Sequence, residues 1–113
     1  MFSLLFNKRK LKTYQKVFNS DKVQHLYKEF KTQVNNQLKK AYKTKDKEEL
    51  RFIFHGLKSS SLVFGMEKLS KLSSKLEQKI LDGKEVLAKD LDDCTMLYKK
   101  SLEKVDAYLK NEG

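Results

Sequence analysis

The chain has 113 residues, no proline, four glycines, one cysteine and a formal net charge of +10. A chain of this length supports one packed core and leaves no room for a separate ATP-binding or DNA-binding module. The lone Cys94 excludes an internal disulfide and a cysteine-based zinc site, and abundant Lys, Leu and Glu without proline point to an all-α chain.

The charge is unevenly placed. Residues 1–45 carry twelve Lys or Arg against only Asp21 and Glu29, whereas the remainder carries thirteen of each sign. A basic front suits an acidic protein surface, a nucleic acid or an anionic membrane, and equally a solvated lysine-rich face.

Met1-Phe2-Ser3-Leu4-Leu5-Phe6 is apolar and precedes Asn7-Lys8-Arg9-Lys10. That order is the reverse of a secretory signal, and the run is far too short to cross a bilayer; a cytoplasmic protein without stable membrane insertion is expected. Leu4, Leu5, Leu11, Tyr14, Val17 and Phe18 predict a short amphipathic helix closing one end of a bundle, with interfacial membrane contact as the weaker alternative. Ser20-Asp21 offers a helix start. The helix after it carries Val23, Leu26, Phe30, Val34, Leu38 and Ala41 as a core stripe, flanked by Tyr27 and Tyr42. His25 lies outside the stripe among lysines and is expected on the surface. Lys43-Thr44-Lys45-Asp46 has no apolar position and forms the next turn.

A second bundle helix is predicted from Lys47 to about Phe64, with Glu48 and Glu49 favourably placed in its first turn. At ~100° per residue, Leu50, Ile53, Phe54, Leu57, Ser61 and Phe64 share the buried face. His55 falls outside that face, between Arg51, Lys58, Ser59 and Leu62. A histidine on a lysine-rich helix is ordinarily a plain surface residue, but three features set this one apart. Gly56 and Gly65 stand where glycine is disfavoured by ~1 kcal/mol against alanine, which suggests close approach. Ser59, Ser60 and Ser61 keep the next turn low in bulk, and Lys58 supplies positive charge. A neutral imidazole, with an unperturbed pKa of ~6.5, is a competent nucleophile. Attack on a phosphoryl group, with Lys58 offsetting charge on its oxygens, is the chemistry this pattern suits. Phe52 and Val63 point away from the predicted core. They suit partner docking or packing against the N-terminal segment.

Gly65 bends the chain into a third helix with Met66, Leu69, Leu72, Ser73, Leu76 and Ile80 inward and Lys68, Lys71, Lys75 and Lys79 as an outer basic stripe. Asp82-Gly83-Lys84 ends it, with Gly83 suited to a left-handed cap. The last helix runs to about Leu109, with Leu87, Leu91, Cys94, Leu97, Tyr98, Leu102, Val105 and Leu109 inward and residues 111–113 fraying. The expected architecture is an all-α, antiparallel up-and-down four-helix bundle over residues 20–110 with a short additional N-terminal helix within 1–19, forming one domain. No internal repeat, Gly-rich phosphate loop, metal-spaced cluster or Ser-His-Asp set is present in the sequence.

His55-Gly56-Leu57-Lys58-Ser59-Ser60-Ser61, followed by Gly65, Leu69, Ser73, Leu76 and Glu77, resembles the signature of histidine-containing phosphotransfer (HPt) domains. There the pattern reads His, any residue, Leu or Ile, Lys, Gly, two small residues, then a Gly after three more residues, and an apolar and small pattern ending in Leu-Glu or Leu-Gln. It spans two helices and keeps the spacing between them. Two departures are visible: Ser59 stands where the family usually has Gly, and Met66 where it usually has Ala. Serine keeps access while altering how a partner docks, and Met66 suits a core gap.

The resemblance implies a phosphoryl carrier and not an autonomous kinase. His55 would take a phosphoryl group from a phospho-aspartate on one receiver domain and pass it to another. Lys58 would stand beside it, and Glu77 would lie close across the helix hairpin to orient the imidazole. Phe52, Gly56, Ser59, Leu62, Val63 and Gly65 are the expected docking residues. The implied partners are response-regulator receiver domains and a hybrid sensor histidine kinase. The chain itself would be a monomer with no cofactor or metal, the Mg²⁺ belonging to the receiver. A basic bundle that binds nucleic acid is the alternative favoured by the charge and a pI of about 9.6. It lacks a recognition motif, is not the expected partner class, and is separated by a salt titration of binding. A non-transferring scaffold that binds a receiver is a third reading, against which the presence of both His55 and Lys58 counts.

Overall fold

Short polar side chains set where three of the helices begin, by accepting from backbone amides that have no partner within the helix. Asn7 accepts from Arg9 N at 3.1 Å, Asn19 from Lys22 N at 2.8 Å, and Asp46 from Glu48 N at 3.0 Å. The structure, a computed structural model, describes residues 4–112; Met1, Phe2, Ser3 and Gly113, which belong to the predicted apolar start and fraying end, lie outside the described residues. The helices are α1 (Lys8–Val17), α2 (Ser20–Lys43), α3 (Lys47–Val63), α4 (Glu67–Leu81) and α5 (Ala88–Glu112). Helices α2 to α5 form the four-helix bundle, and α1 packs across its end against α2 and α3.

The core follows the helical stripes. Val23, Phe30, Val34, Leu38 and Ala41 of α2 meet Ile53, Phe54 and Leu57 of α3, Leu69, Leu76 and Ile80 of α4, and Leu91, Cys94, Tyr98, Val105 and Leu109 of α5. Met66 is fully buried, as its predicted role of core filler requires. At the α1 end the rings of Tyr14, Tyr27 and Phe30 gather on Phe64, with centroids 5.9, 5.4 and 4.8 Å away. Each such pair adds about 0.5–1.5 kcal/mol to the area it buries. Burial pushes the Cys94 thiol up to about 12, so it stays protonated and inert as a small core residue.

Several expectations are corrected. Helix α1 starts only at Lys8, so Leu4 and Leu5 lie in an extended lead-in. Val17 is 71% exposed because α1 ends before another element can cover it. Phe18 is exposed too, and meets the Tyr14 ring at a tilt of 56° with centroids 5.0 Å apart. The cap of α2 is Asn19, one residue before the predicted start. Tyr27 is buried in the stripe while Leu26 is only half-buried, because the Tyr27 hydroxyl donates to Asp106 of α5 at 2.7 Å. Leu72, Leu97 and Leu102 are half-buried, and Ser70 turns inward on α4. Lys79 leaves the basic stripe to pair with Asp90 at 2.8 Å. Leu87 precedes α5 and is exposed, whereas the helix itself continues through Asn111 and Glu112.

Both bends around α4 close in the same way. Gly65 and Gly83 have φ of 75° and 79°, and the paired bonds of a Schellman cap are present at each. Met66 N donates to Ser61 O and Gly65 N to Leu62 O; Lys84 N donates to Lys79 O and Gly83 N to Ile80 O. They differ in what surrounds them. Asn7 N donates to Gly65 O at 2.6 Å and Lys68 N donates to Leu4 O at 2.9 Å, so the lead-in to α1 lies along the α3–α4 turn and caps α4, whose own cap residue Met66 has no side-chain acceptor. Glu67 fastens it from the other side. Its carboxylate accepts from Asn7 Nδ2 at 3.0 Å and Leu4 N at 3.2 Å and lies 3.4 Å from Lys10 Nζ, which together hold it below the usual carboxylate range.

Candidate functional site

Helices α3 and α4 form a tight hairpin, locked where the Ser70 hydroxyl donates to the Lys58 carbonyl at 2.7 Å. This sets Glu77 of α4 opposite His55 of α3. The imidazole Nδ1 and Glu77 Oε2 are 2.9 Å apart. A carboxylate can only accept, so Nδ1 carries the proton and the lone pair is left on Nε2, on the side of the ring turned from α4. The ring is 59% exposed while the Glu77 side chain is 11% exposed. The carboxylate is therefore sheltered while the imidazole stands open to solvent.

Two cations complete the cluster. Lys58 Nζ stands 3.7 Å from Glu77 Oε1, and Arg51 Nη1 stands 3.8 Å from Glu77 Oε2. Arg51 was a neighbour by spacing in the sequence but had no assigned part. Its contact with Glu77 depends on how α4 packs, which local pattern does not reveal.

Phe52, His55, Ser59 and Leu62 follow at spacings of three and four and form one exposed ridge, with Val63 at its edge. Phe52 is 71% exposed. Leu62 and Val63 continue into a shallow groove of about 430 Å³ that Arg9, Lys10, Tyr14 and Val17 of α1 also line. Of the two roles considered for Phe52 and Val63, Val63 thus lies beside the N-terminal segment while Phe52 stands clear of that groove. Ser61 is fully buried on the core side, as its place on the buried face requires, so Ser59 and Ser60 alone keep the turn beside His55 low in bulk. Gly65 is placed otherwise than expected: it is buried beneath Asn7 and serves the turn, which removes it from the docking surface.

Gly56 has no such structural task. A Cβ there would meet only Gln37 Nε2, at the ordinary distance of 3.9 Å. Gly56→Ala is therefore expected to stabilise the fold by about 0.5–1 kcal/mol in urea denaturation, through helix propensity.

The model of the Hpt domain family matches residues 23–108. This chain belongs to the Hpt domain family. No curated protein and no solved structure matches it significantly. Hpt domains are helical bundles that serve as phosphocarrier modules in histidine phosphotransfer. The matched stretch of this Hpt domain holds His55, Lys58, Glu77 and Arg51, and begins after α1, so the lead-in and its clamp on Gly65 lie outside the match. The larger hollows of the Hpt domain lie elsewhere, the one beside Tyr27 between α2 and α5 measuring about 530 Å³. His25 is exposed on that side and pairs with Glu29 of its own helix, at 3.1 Å. Among the described residues no group of His, Cys, Asp and Glu could hold a metal ion, and no helix is long and apolar enough to cross a membrane.

Proposed function

We propose that the chain relays a phosphoryl group between receiver domains through a phosphohistidine at His55. The observation that carries this reading is the 2.9 Å contact of Nδ1 with the sheltered Glu77, which leaves the Nε2 lone pair on an exposed face. The Nε2 lone pair forms the N–P bond as the acyl-phosphate O–P bond of the donor aspartate breaks, and the carboxylate leaves with the electron pair. The Nδ1 proton stays in place, so the ring becomes a phosphorylated imidazolium whose positive charge faces Glu77. The reverse step onto a second receiver restores the neutral ring.

Lys58 offsets the phosphoryl oxygens, while the Mg²⁺ and carboxylates of the receiver supply the remaining charge compensation. Phe52, Gly56, Ser59, Leu62 and Val63 form the docking face, and the basic residues of α1 and α2 speed encounter with an acidic partner. The carrier acts as a cytoplasmic monomer with receiver domains and a hybrid sensor histidine kinase, and holds no cofactor of its own.

The test is incubation with a panel of phosphorylated receivers, scored by acid-labile label on the chain; absence of label with every receiver sinks the reading. Lys58→Ala is expected to slow uptake about tenfold, equivalent to ~1.4 kcal/mol of barrier. Its helicity and melting are expected to be unchanged, because Lys58 is 40% exposed and its ion pair with Glu77 is a 3.7 Å contact. Unchanged uptake would make Lys58 a bystander charge.

A further inference from the structure

Glu77 is the acid that faces His55, and three side chains of α3 converge on it from positions four residues before His55, at His55, and three after. The two cations among them are held differently. Lys58 has a single ion pair among the described residues, at 3.7 Å, and is 40% exposed, which leaves its chain room to turn elsewhere. Arg51 is forked onto Glu48: Nη2 lies 3.1 Å from Glu48 Oε2 and Nε lies 3.3 Å from Oε1. A planar fork of this kind fixes direction as well as distance. The Arg51 fork also holds the Glu48 carboxyl below its usual range. Arg51 Nη1 then reaches Glu77 Oε2, the same oxygen that contacts His55 Nδ1.

We infer that Arg51 is the standing counter-ion of Glu77, held by Glu48 so that Glu77 stays aligned on His55 Nδ1 in the unphosphorylated protein and also when Lys58 turns to the phosphoryl group. The inference rests on the phosphocarrier reading of His55. Its physical ground is the charge change in the cluster. Before transfer, Glu48 and Glu77 are balanced by Arg51 and Lys58. A phosphoryl group on Nε2 brings close to two negative charges and draws the mobile cation, Lys58. Glu77 is then left sheltered, with the imidazolium on one side and only Arg51 on the other. A nearly buried carboxylate that loses its partners turns towards solvent or exchanges them. Arg51 is therefore a positioning residue acting through Glu77, and does not itself need to touch the phosphoryl group.

The experiment compares wild type, Arg51→Gln, Arg51→Lys, Glu77→Gln and the Arg51→Gln/Glu77→Gln double variant. Nitrogen-15 NMR of the unphosphorylated protein, with the ring neutral, reads the His55 tautomer and requires no partner. Label from a phosphorylated receiver reads uptake. In Arg51→Gln the Nδ1–H form is expected to give way to the Nε2–H form and uptake to fall about fivefold, the scale of a partly exposed ion pair. Arg51→Lys should restore part of both. In the Glu77→Gln background, Arg51→Gln should change neither by more than about twofold, because contacts acting through one group are not additive. An unchanged tautomer in Arg51→Gln overturns the inference, as does a full fivefold loss in the Glu77→Gln background, which would place Arg51 on the phosphoryl group or the partner. If the tautomer responds but wild type takes up no label from any receiver, the Arg51 placement stands and the phosphocarrier reading falls.

Discussion

His55→Gln is expected to take up no acid-labile label from any phosphorylated receiver that labels the wild type, while keeping the wild-type melting temperature. The two halves of that result have separate causes. A glutamine amide nitrogen has its lone pair delocalised into the carbonyl and cannot attack phosphorus, so the loss is one of chemistry. Its NH₂ group can still donate to Glu77, which otherwise would keep only the longer contacts to Arg51 and Lys58. The side chain it replaces is 59% exposed, so little packing is lost, and stability should stay within about 0.5 kcal/mol. Label that persists on the variant would move the phosphoryl site away from His55.

Gly65→Ala should be the most destabilising of the glycine substitutions, by roughly 2–4 kcal/mol in urea denaturation. Two causes add. A left-handed φ of 75° costs an L side chain about 1–2 kcal/mol by itself. The new Cβ would also run into the backbone carbonyl of Asn7, so the lead-in must lift and break its bond from Asn7 N to Gly65 O. Gly83→Ala separates the two. It has nearly the same φ, 79°, but nothing within 4 Å of the added carbon, so it should cost only about 1 kcal/mol. Equal losses at the two positions would show that the contact with Asn7 carries no weight.

The buried face of α3, the bends at Gly65 and Gly83 and the His55–Glu77 pairing were all legible in the sequence, for different reasons. Ile53, Phe54, Leu57 and Ser61 recur at helical spacing, which is a local property. Gly65 and Gly83 stand where a chain of this pattern must reverse. The closeness of Glu77 to His55 came only through the family signature, since no local rule joins residues on two helices. What stayed hidden depends on contacts between distant segments. Tyr27 rather than Leu26 is buried because Asp106, 79 residues away, accepts from its hydroxyl. Arg51 faces Glu77 because Ser70 locks the hairpin at Lys58. Gly65 reads as an access glycine until Asn7 is found on top of it. Val17 has the spacing of a core residue on a helix that ends too soon to cover it.

The clamp between the chain's beginning and the α3–α4 turn has a further consequence for the order in which contacts can form. His55 and Glu77 are 22 residues apart, whereas the clamp's bond from Lys68 N to Leu4 O joins residues about three times as far apart in the chain. Closing the longer loop costs about 0.9 kcal/mol more in chain entropy, and the lead-in it secures is held mainly by hydrogen bonds. The histidine-bearing hairpin is thus a local unit that closes early. The clamp is a late seal, and the first part of the molecule to let go when the native state fluctuates.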